Sequence, residues 1–282
     1  MDTGSHSQVR LAASVALLVT LLAWESFAPF FHFFTGVAGE RARHAWRNLV
    51  LGLLNVVLNA SVFVGLWWTA AAWAEAHQFG LLHWLAWPAW ARLIGAFLLL
   101  DGWMYVWHRL NHRLPFLWRF HRVHHSDQKM DVTTANRFHL GEITLSGLLR
   151  APVIALTGVQ LWELALYETA MFSVVQLHHA NISLSVPVDR ALRVLIVTPF
   201  MHKVHHSHWQ PETDSNYSSL FSFWDRLFRS FRLHPAPHSL SLGLDELSAP
   251  EHHTLRGLLT TPVKRVERKD VEDTQTAGKR RV

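Results

Sequence analysis

The sequence predicts an all-α integral membrane protein, with about three to five membrane-embedded helices capped by a helical, histidine-rich domain. Two observations carry this. Half of the 282 residues are apolar, and they gather into long uninterrupted runs rather than spreading evenly. Histidine is abundant, with 21 copies, and twelve of them fall between His108 and His208 in recurring short patterns.

The apolar runs come first. "VRLAASVALLVTLLAWESFAPFFHFF" (9–34) exceeds the ~20 apolar residues that cross a bilayer. It is too long, and has too weak a basic start, for a cleaved leader. "NLVLGLLNVVLNASVFVGLWWTAAAWA" (48–74) and "WPAWARLIGAFLLLDGWMYVW" (87–107) are the second and third spans. "ITLSGLLRAPVIALTG" (143–158) and "VQLWELALYETAMFSVVQL" (159–177) read as a shorter hairpin; Arg150, Glu163 and Glu168 interrupt it, so its helices either span or are half-inserted.

Basic residues give the expected orientation, because Lys and Arg concentrate in cytosolic loops. Arg41, Arg43 and Arg47 lie between the first two spans, and Arg109, Arg113, Arg119 and Arg122 follow the third. The loop near "EAHQFGLLHW" has neither Lys nor Arg. This places the histidine-rich part on the cytosolic side and the N-terminus outside. The chain divides into an N-terminal transmembrane region (1–94), a histidine-rich domain (95–232) and a C-terminal extension (233–282). From about 262 the extension is charged and poor in apolar residues, which predicts disorder. The net charge of +5 is modest and most of the chain is apolar, so nucleic acid is excluded as a partner and a membrane is favoured.

The chain has no cysteine. Disulfides, thiolate metal sites and cysteine nucleophiles are excluded, and any metal must be held by nitrogen and oxygen. Four histidine groups supply the nitrogen. "HRLNH" places His108 and His112 at i and i+4, on one helical face directly after the third span. "HRVHH" brings His121, His124 and His125, and "HKVHH" repeats the pattern with His202, His205 and His206. "LHHAN" ends the hairpin with His178 and His179, which point about 100° apart on a helix, so one ligand is expected from the pair. His139 is a further candidate. A lone i,i+4 pair is commonly surface decoration. Three such arrangements at the ends of membrane helices exceed what one tetrahedral ion uses, and two metals with four or five ligands each fit the count.

Carboxylates and amides near these groups are candidates to orient a ligating imidazole. Asp101 shares a helical stripe with Tyr105, His108 and His112. It either accepts an N–H from a histidine or holds helices together, since an acid inside a span is costly without a role. Glu142, Asn181, Asp214 and Asn216 are the other candidates.

In order along the chain, "DGWMYVWHRLNHRLPFLWRFHRVHHS", "TTANRFHLGE", "HHANI", "TPFMHKVHHS" and "NYSSLFSFWDRLF" resemble the fatty acid hydroxylase / sterol desaturase superfamily over roughly 95–232. The resemblance implies an integral membrane oxidoreductase with a non-haem di-iron centre, acting on a lipid with dioxygen and electrons from an external donor: a reductase, ferredoxin or cytochrome. Carried over by position, it implies His108, His112, His121, His124, His125, His179, His202, His205 and His206 as metal ligands, with His178 as a possible addition. Some relatives carry a further histidine where this chain has Val174. Arg229 and Ser230 stand where family members often have Gly-Thr after the Trp224–Phe228 match. The expected reaction is hydroxylation of an acyl, sterol or carotenoid-like lipid. Desaturation or metal-assisted cleavage on the same scaffold, and a metal transporter or sensor, are the alternatives. A transporter should carry its polar ligands along the middle of several spans, whereas these histidines cluster at span ends.

Overall fold

The computed structural model describes residues 3–85 and 87–264. Among them the secondary structure is helical, with only three isolated β-bridges. Helix α1 (Thr3–Phe27) is followed by α2 (Glu40–Leu58), which continues through a π-helical turn (Asn59–Phe63) into α3 (Val64–Ala76). After the short α4 (Leu81–Trp84), the long α5 (Ala89–Arg113) leads to α6 (Pro115–His125). Helices α7 (Leu140–Thr157) and α8 (Leu161–His179) form an antiparallel hairpin, and α9 (Val186–Leu192) and α10 (Pro199–His205) follow.

Three stretches are long and apolar enough to cross a membrane: Glu40–Trp84, Ala89–Arg113 and Leu140–Thr157. The chain is a multi-pass membrane protein of all-α architecture. Two sequence expectations shift in detail. The apolar run 9–34 is not one helix: α1 stops at Phe27, and only Ala12–Phe27 forms a shorter apolar helix. Pro29 disfavours helical backbone in the residue before it, and the extended segment beyond bridges to Ile182. The run 143–158, expected either to span or to be half-inserted, is long enough to span.

The charges that interrupted the hairpin are absorbed by pairing. Arg150 pairs with Glu168 across α7 and α8 and lies over the Trp67 ring, 4.8 Å from its centroid. Buried Glu163 accepts from Arg92 Nε at 2.9 Å, and Arg92 also donates to the carbonyls of Leu82 and Gly158. Helix α7 ends at Gly158 with φ 71°, and a Cβ on the facing Gly80 would meet the Gly158 nitrogen at 2.4 Å. Glycine is needed there for both the left-handed turn and the close approach. Between α3, α5, α7 and α8 lies the main apolar core, including Phe63, Trp67, Leu100, Ile154, Leu164 and Tyr167.

At the opposite end α1 is fastened by Glu25. Its buried carboxylate accepts from Arg41, from the backbone N–H of Val132 at 3.1 Å and from that of Asn181 at 2.9 Å. A polar knot ties α2 to the end of α6. His44 Nε2 meets the Asp127 carboxylate at 2.9 Å, and fully buried Arg137 donates to the Val123 carbonyl and the Ser126 hydroxyl. Burial alone would raise Asp127. The charges of His44 and Arg137, with hydrogen bonds from His44 and Thr134, instead hold it well below the usual carboxylate range.

The disorder predicted from about 262 does not apply to the first of these residues. A 3-10 turn at Thr261–Val263 is docked by Arg122, which donates to the carbonyls of Thr261 and Lys264. The rest of the charged tail, 265–282, lies outside the described residues.

A carboxylate left buried without its cation is expensive. Arg92→Leu is expected to cost about 3 kcal/mol, seen as a lower thermal midpoint in detergent. Arg92→Leu combined with Glu163→Leu is expected to recover most of that loss. An equal loss in both proteins would show that Arg92 acts through its carbonyl contacts and not through Glu163.

Candidate metal centre

Four helix termini meet at one end of the bundle, and each delivers histidines. Helix α5 arrives with His108 and His112 in its last two turns. Leu114 is extended and Pro115 opens α6 at its first turn, a position where a missing N–H costs nothing. Helix α6 carries His121, His124 and His125. Helix α8 ends on His178 and His179. Thr198 caps α10 by accepting from Met201 N, and Pro199 starts the helix that bears His202 and His205, with His206 just beyond.

The side chains sort into two groups. His108, His112, His121, His125 and His205 bring ring nitrogens within 4.8 Å of one another, and so do His124, His179, His202 and His206. The His-x-x-His-His motif is therefore split. The i,i+4 pairs His121/His125 and His202/His206 each stay together, but in different groups, and the middle histidine of each motif crosses over. This follows from the helix: i and i+4 differ by about 40°, whereas adjacent residues differ by about 100°.

Hydrogen bonds fix the tautomers. His108 Nδ1 donates to the Tyr217 carbonyl at 2.7 Å and His205 Nδ1 to the Ser215 carbonyl at 2.6 Å. A carbonyl can only accept, so these rings carry their proton on Nδ1 and leave Nε2 bare. Yet the two Nε2 atoms face each other at 3.0 Å. His179 donates through Nδ1 to the Val175 carbonyl at 2.7 Å, and its bare Nε2 lies 3.1 Å from the Nε2 atoms of both His124 and His202. His206 Nε2 is 3.2 Å from that of His202. The bare Nε2 lone pairs of His108 and His205 repel at 3.0 Å unless a cation lies between them. Burial holds His124, His125, His202, His205 and His206 well below the usual imidazole range, reinforced by their mutual proximity. The rings are thus neutral and available as ligands at neutral pH. This donor set fits borderline divalent metals that accept imidazole nitrogen.

The other sequence candidates separate clearly. Glu142 lies 2.9 Å from His121 Nδ1 and accepts from Asn111 Nδ2, and Asp214 lies 3.4 Å from His112 Nδ1, so a carboxylate stands beside each of these two imidazoles. Asp101 orients none: it accepts from Tyr167, Leu220 N, Phe221 N and Trp224, which is the helix-holding alternative. Asn181 binds the Phe31 backbone, and Asn216 the carbonyls of Met201 and Arg232. Both shape loops rather than imidazoles. His139 falls outside both groups because its Nδ1 caps α7 by accepting from Gly141 N. His178 also falls outside them, with its ring stacked on His202 at 3.8 Å.

Sequence reasoning overlooked three contributors. The Asp225 carboxylate accepts from Tyr217 N at 2.7 Å, and so places the carbonyl that orients His108. Buried Lys203 donates to the Ala180 carbonyl at 2.9 Å, joining α10 to the end of α8, and its ammonium is pushed down to about 7 by burial. The backbone carbonyls of Ser215, Tyr217 and Val175 orient three rings and leave no mark in the sequence. Lys203 could have been noticed as a lysine embedded in a histidine motif. Trp118 packs against His112, ring centroids 5.1 Å apart, as part of the wall of the site.

The fold and site define a class: a multi-pass helical membrane protein whose helix ends converge on paired histidine groups. The fatty acid hydroxylase family model matches residues 93–230, and through that region the chain belongs to the fatty acid hydroxylase / sterol desaturase superfamily. It is 33% identical over 168 residues to an ornithine lipid hydroxylase of Rhizobium tropici, covering 56% of this chain and 47% of that protein. It is 27% identical to an alkylglycerol monooxygenase of Danio rerio (64% and 37% covered) and 26% identical to a cholesterol 25-hydroxylase of Mus musculus (57% of each). The chain thus spans about half the length, or less, of these relatives. No solved structure matches it.

The contact between His121 and Glu142 generates a direct test. Glu142→Ala is expected to weaken divalent-metal affinity by about 10–100-fold, measured by titrating metal into metal-free protein. Glu142→Gln, which keeps an acceptor, is expected to lose less. Unchanged affinity in both variants would remove Glu142 from the site.

Proposed function

We propose that the chain is a membrane-bound di-iron oxygenase that hydroxylates a C–H bond of a lipid. The observation that carries this reading is the pair of histidine groups: the bare Nε2 atoms of His108 and His205 face each other at 3.0 Å, and the Nε2 atoms of His124, His179, His202 and His206 converge at 3.1–3.2 Å. Imidazole-only sites, with no thiolate in the chain, suit non-haem iron.

In this reading His108, His112, His121, His125 and His205 hold one iron, and His124, His179, His202 and His206 the other. When bound, the two irons supply the redox chemistry that reduces dioxygen and oxidises an unactivated C–H bond. The protein's own work is positional. The Tyr217, Ser215 and Val175 carbonyls and the Glu142 and Asp214 carboxylates lock ring orientations. Such fixed first contacts cost no reorganisation during reaction. His178 and His139 stand outside the ligand set: one supports His202 by stacking, the other caps a helix.

The substrate class follows from placement and from the relatives. The site sits at the ends of membrane helices, so a lipid reaches it from the bilayer. The names of the relatives point to an ornithine lipid, an alkylglycerol and a sterol as substrates of those proteins. An acyl, sterol or carotenoid-like lipid is the class proposed for this chain, with electrons from an external reductase, ferredoxin or cytochrome. The arginines at 41–47 and 109–122 support a cytosolic site. We further propose 95–232 as the catalytic domain, between the transmembrane region 1–94 and the extension 233–282.

Purified protein is expected to contain about two irons per chain, as two imidazole-lined sites imply. One zinc and no iron, by elemental analysis, would sink the reading. His124→Ala is expected to lose metal from the group of His179, His202 and His206 and to abolish lipid hydroxylation. Retained turnover, by mass spectrometry of lipids from expressing cells, would exclude that group from the reaction.

A further inference from the structure

Asp101 sits at the midpoint of α5, seven residues before His108 and so about 10 Å deeper along the helix. Wherever α5 is centred in the bilayer, its midpoint lies within the ~30 Å hydrocarbon layer. Yet Asp101 accepts from the backbone N–H groups of Leu220 and Phe221, which belong to a non-helical segment. Trp224 packs so close to Gly102 that a Cβ there would meet its ring at 3.3 Å, and Phe228 stacks on Tyr105 with ring centroids 5.1 Å apart. The segment therefore runs along the flank of a spanning helix, at membrane depth.

Irregular backbone survives there only if its polar groups are satisfied. They are. Val197 N donates to the Leu220 carbonyl and Ser222 N to that of Leu195, so the 194–197 strip pairs with 220–222. Ser222 Oγ and Arg226 both donate to the Arg193 carbonyl. The outward surface is apolar: Val194 is 70% exposed and Leu195 58%, with Val186, Val188, Leu227 and Phe228 also exposed. Between Val186, Pro187, Ala191 and Val194 runs a groove of about 440 Å³ that also contains Arg190. Arg190, Arg226 and Arg229 are exposed on the same segments. Arg229 holds φ 59°, a left-handed conformation that disfavours side chains. Such a conformation strains any residue with a side chain, and an arginine held there points to use of its charge.

We propose that 186–196 and 220–229 form a re-entrant wedge that seats in the leaflet at the histidine end. Its valines and leucines enter the acyl layer, and Arg190, Arg226 and Arg229 bind anionic lipid headgroups. Asp101 is the anchor that fixes the wedge to α5. Apolar side chains below a rim of guanidinium groups match the two chemistries of a leaflet, acyl chains beneath phosphates. The charge selects an anionic membrane over a protein partner, and the apolar surface continues that of the spanning helices. This wedge does not depend on the metal chemistry.

The absence of cysteine allows a clean test. The full chain carrying Leu195→Cys, with a nitroxide attached, is reconstituted into nanodiscs of mixed phosphatidylcholine and phosphatidylglycerol. Molecular oxygen is expected to relax this label more effectively than a water-soluble nickel chelate, with the order reversed for a label at Glu251→Cys. Val194→Cys serves as a second insertion site. With a fluorophore at Leu195→Cys, brominated phosphatidylglycerol is expected to quench several-fold more than brominated phosphatidylcholine. Arg190→Gln with Arg229→Gly is expected to abolish that difference. Nickel access at Leu195 and Val194 equal to that at Glu251 would overturn the wedge. So would spin coupling between labels on two chains, which would make the occupant a second copy. Equal quenching by the two lipids would overturn the role of the arginines.

Discussion

The structure is organised around a repulsion. His108 and His205 have each given their only proton to a backbone carbonyl, and their bare Nε2 atoms are pressed together at 3.0 Å, while the Nε2 atoms of His124, His179 and His202 converge at 3.1 Å beside them. Uncompensated, this convergence of lone pairs would push α5, α6, α8 and α10 apart. The four helices must therefore be held by forces outside the histidines. Those forces are visible: Glu25 fastens α1 to the segments after α6 and α8, Lys203 fastens α10 to α8, and the His44–Asp127–Arg137 knot fastens α6 to α2. A cavity of facing donors, preset by surrounding hydrogen bonds, is what tight metal binding requires.

The same molecule shows how a membrane protein accommodates charge. Arg92 with Glu163 and Arg150 with Glu168 cross-link helices, while Asp101 satisfies a loop. None of these groups faces lipid alone. Each is placed where an unpaired backbone or side-chain group would otherwise be left in a medium without water. The interruptions that made the second hairpin look half-inserted are thus contacts that tie α7 and α8 to each other and to α5. Read singly, a charge in an apolar run argues against a span; in pairs, it argues for helix packing.

Arg229 illustrates a departure from the family pattern that the fold tolerates. The position has φ 59°, a conformation that favours glycine. The turn survives because Ser230 N donates to the Asp225 carbonyl and Ser230 Oγ to the Asp225 carboxylate. Tyr105 joins the same network through Ser230. The Asp225 carboxylate also receives Tyr217 N, so the turn and the orientation of His108 depend on one side chain.

Much was determined by sequence alone. Apolar runs long enough to span, the absence of cysteine and the i,i+4 histidine pairs are local properties, and local periodicity is what helices obey. That is why the helical class was legible, and why the nine histidines that the structure brings together could be picked out as candidates. Tertiary structure decided the rest, because it depends on which distant segments meet. The division of each His-x-x-His-His motif between two groups needed the crossing of α6 and α10. The exclusion of His139 needed its capping bond, and the stacking of His178 needed α10 beside α8. The role of Asp101 turned on a loop 120 residues away. The carbonyls that set the tautomers belong to the backbone, which every residue shares, so no choice of side chain could announce them.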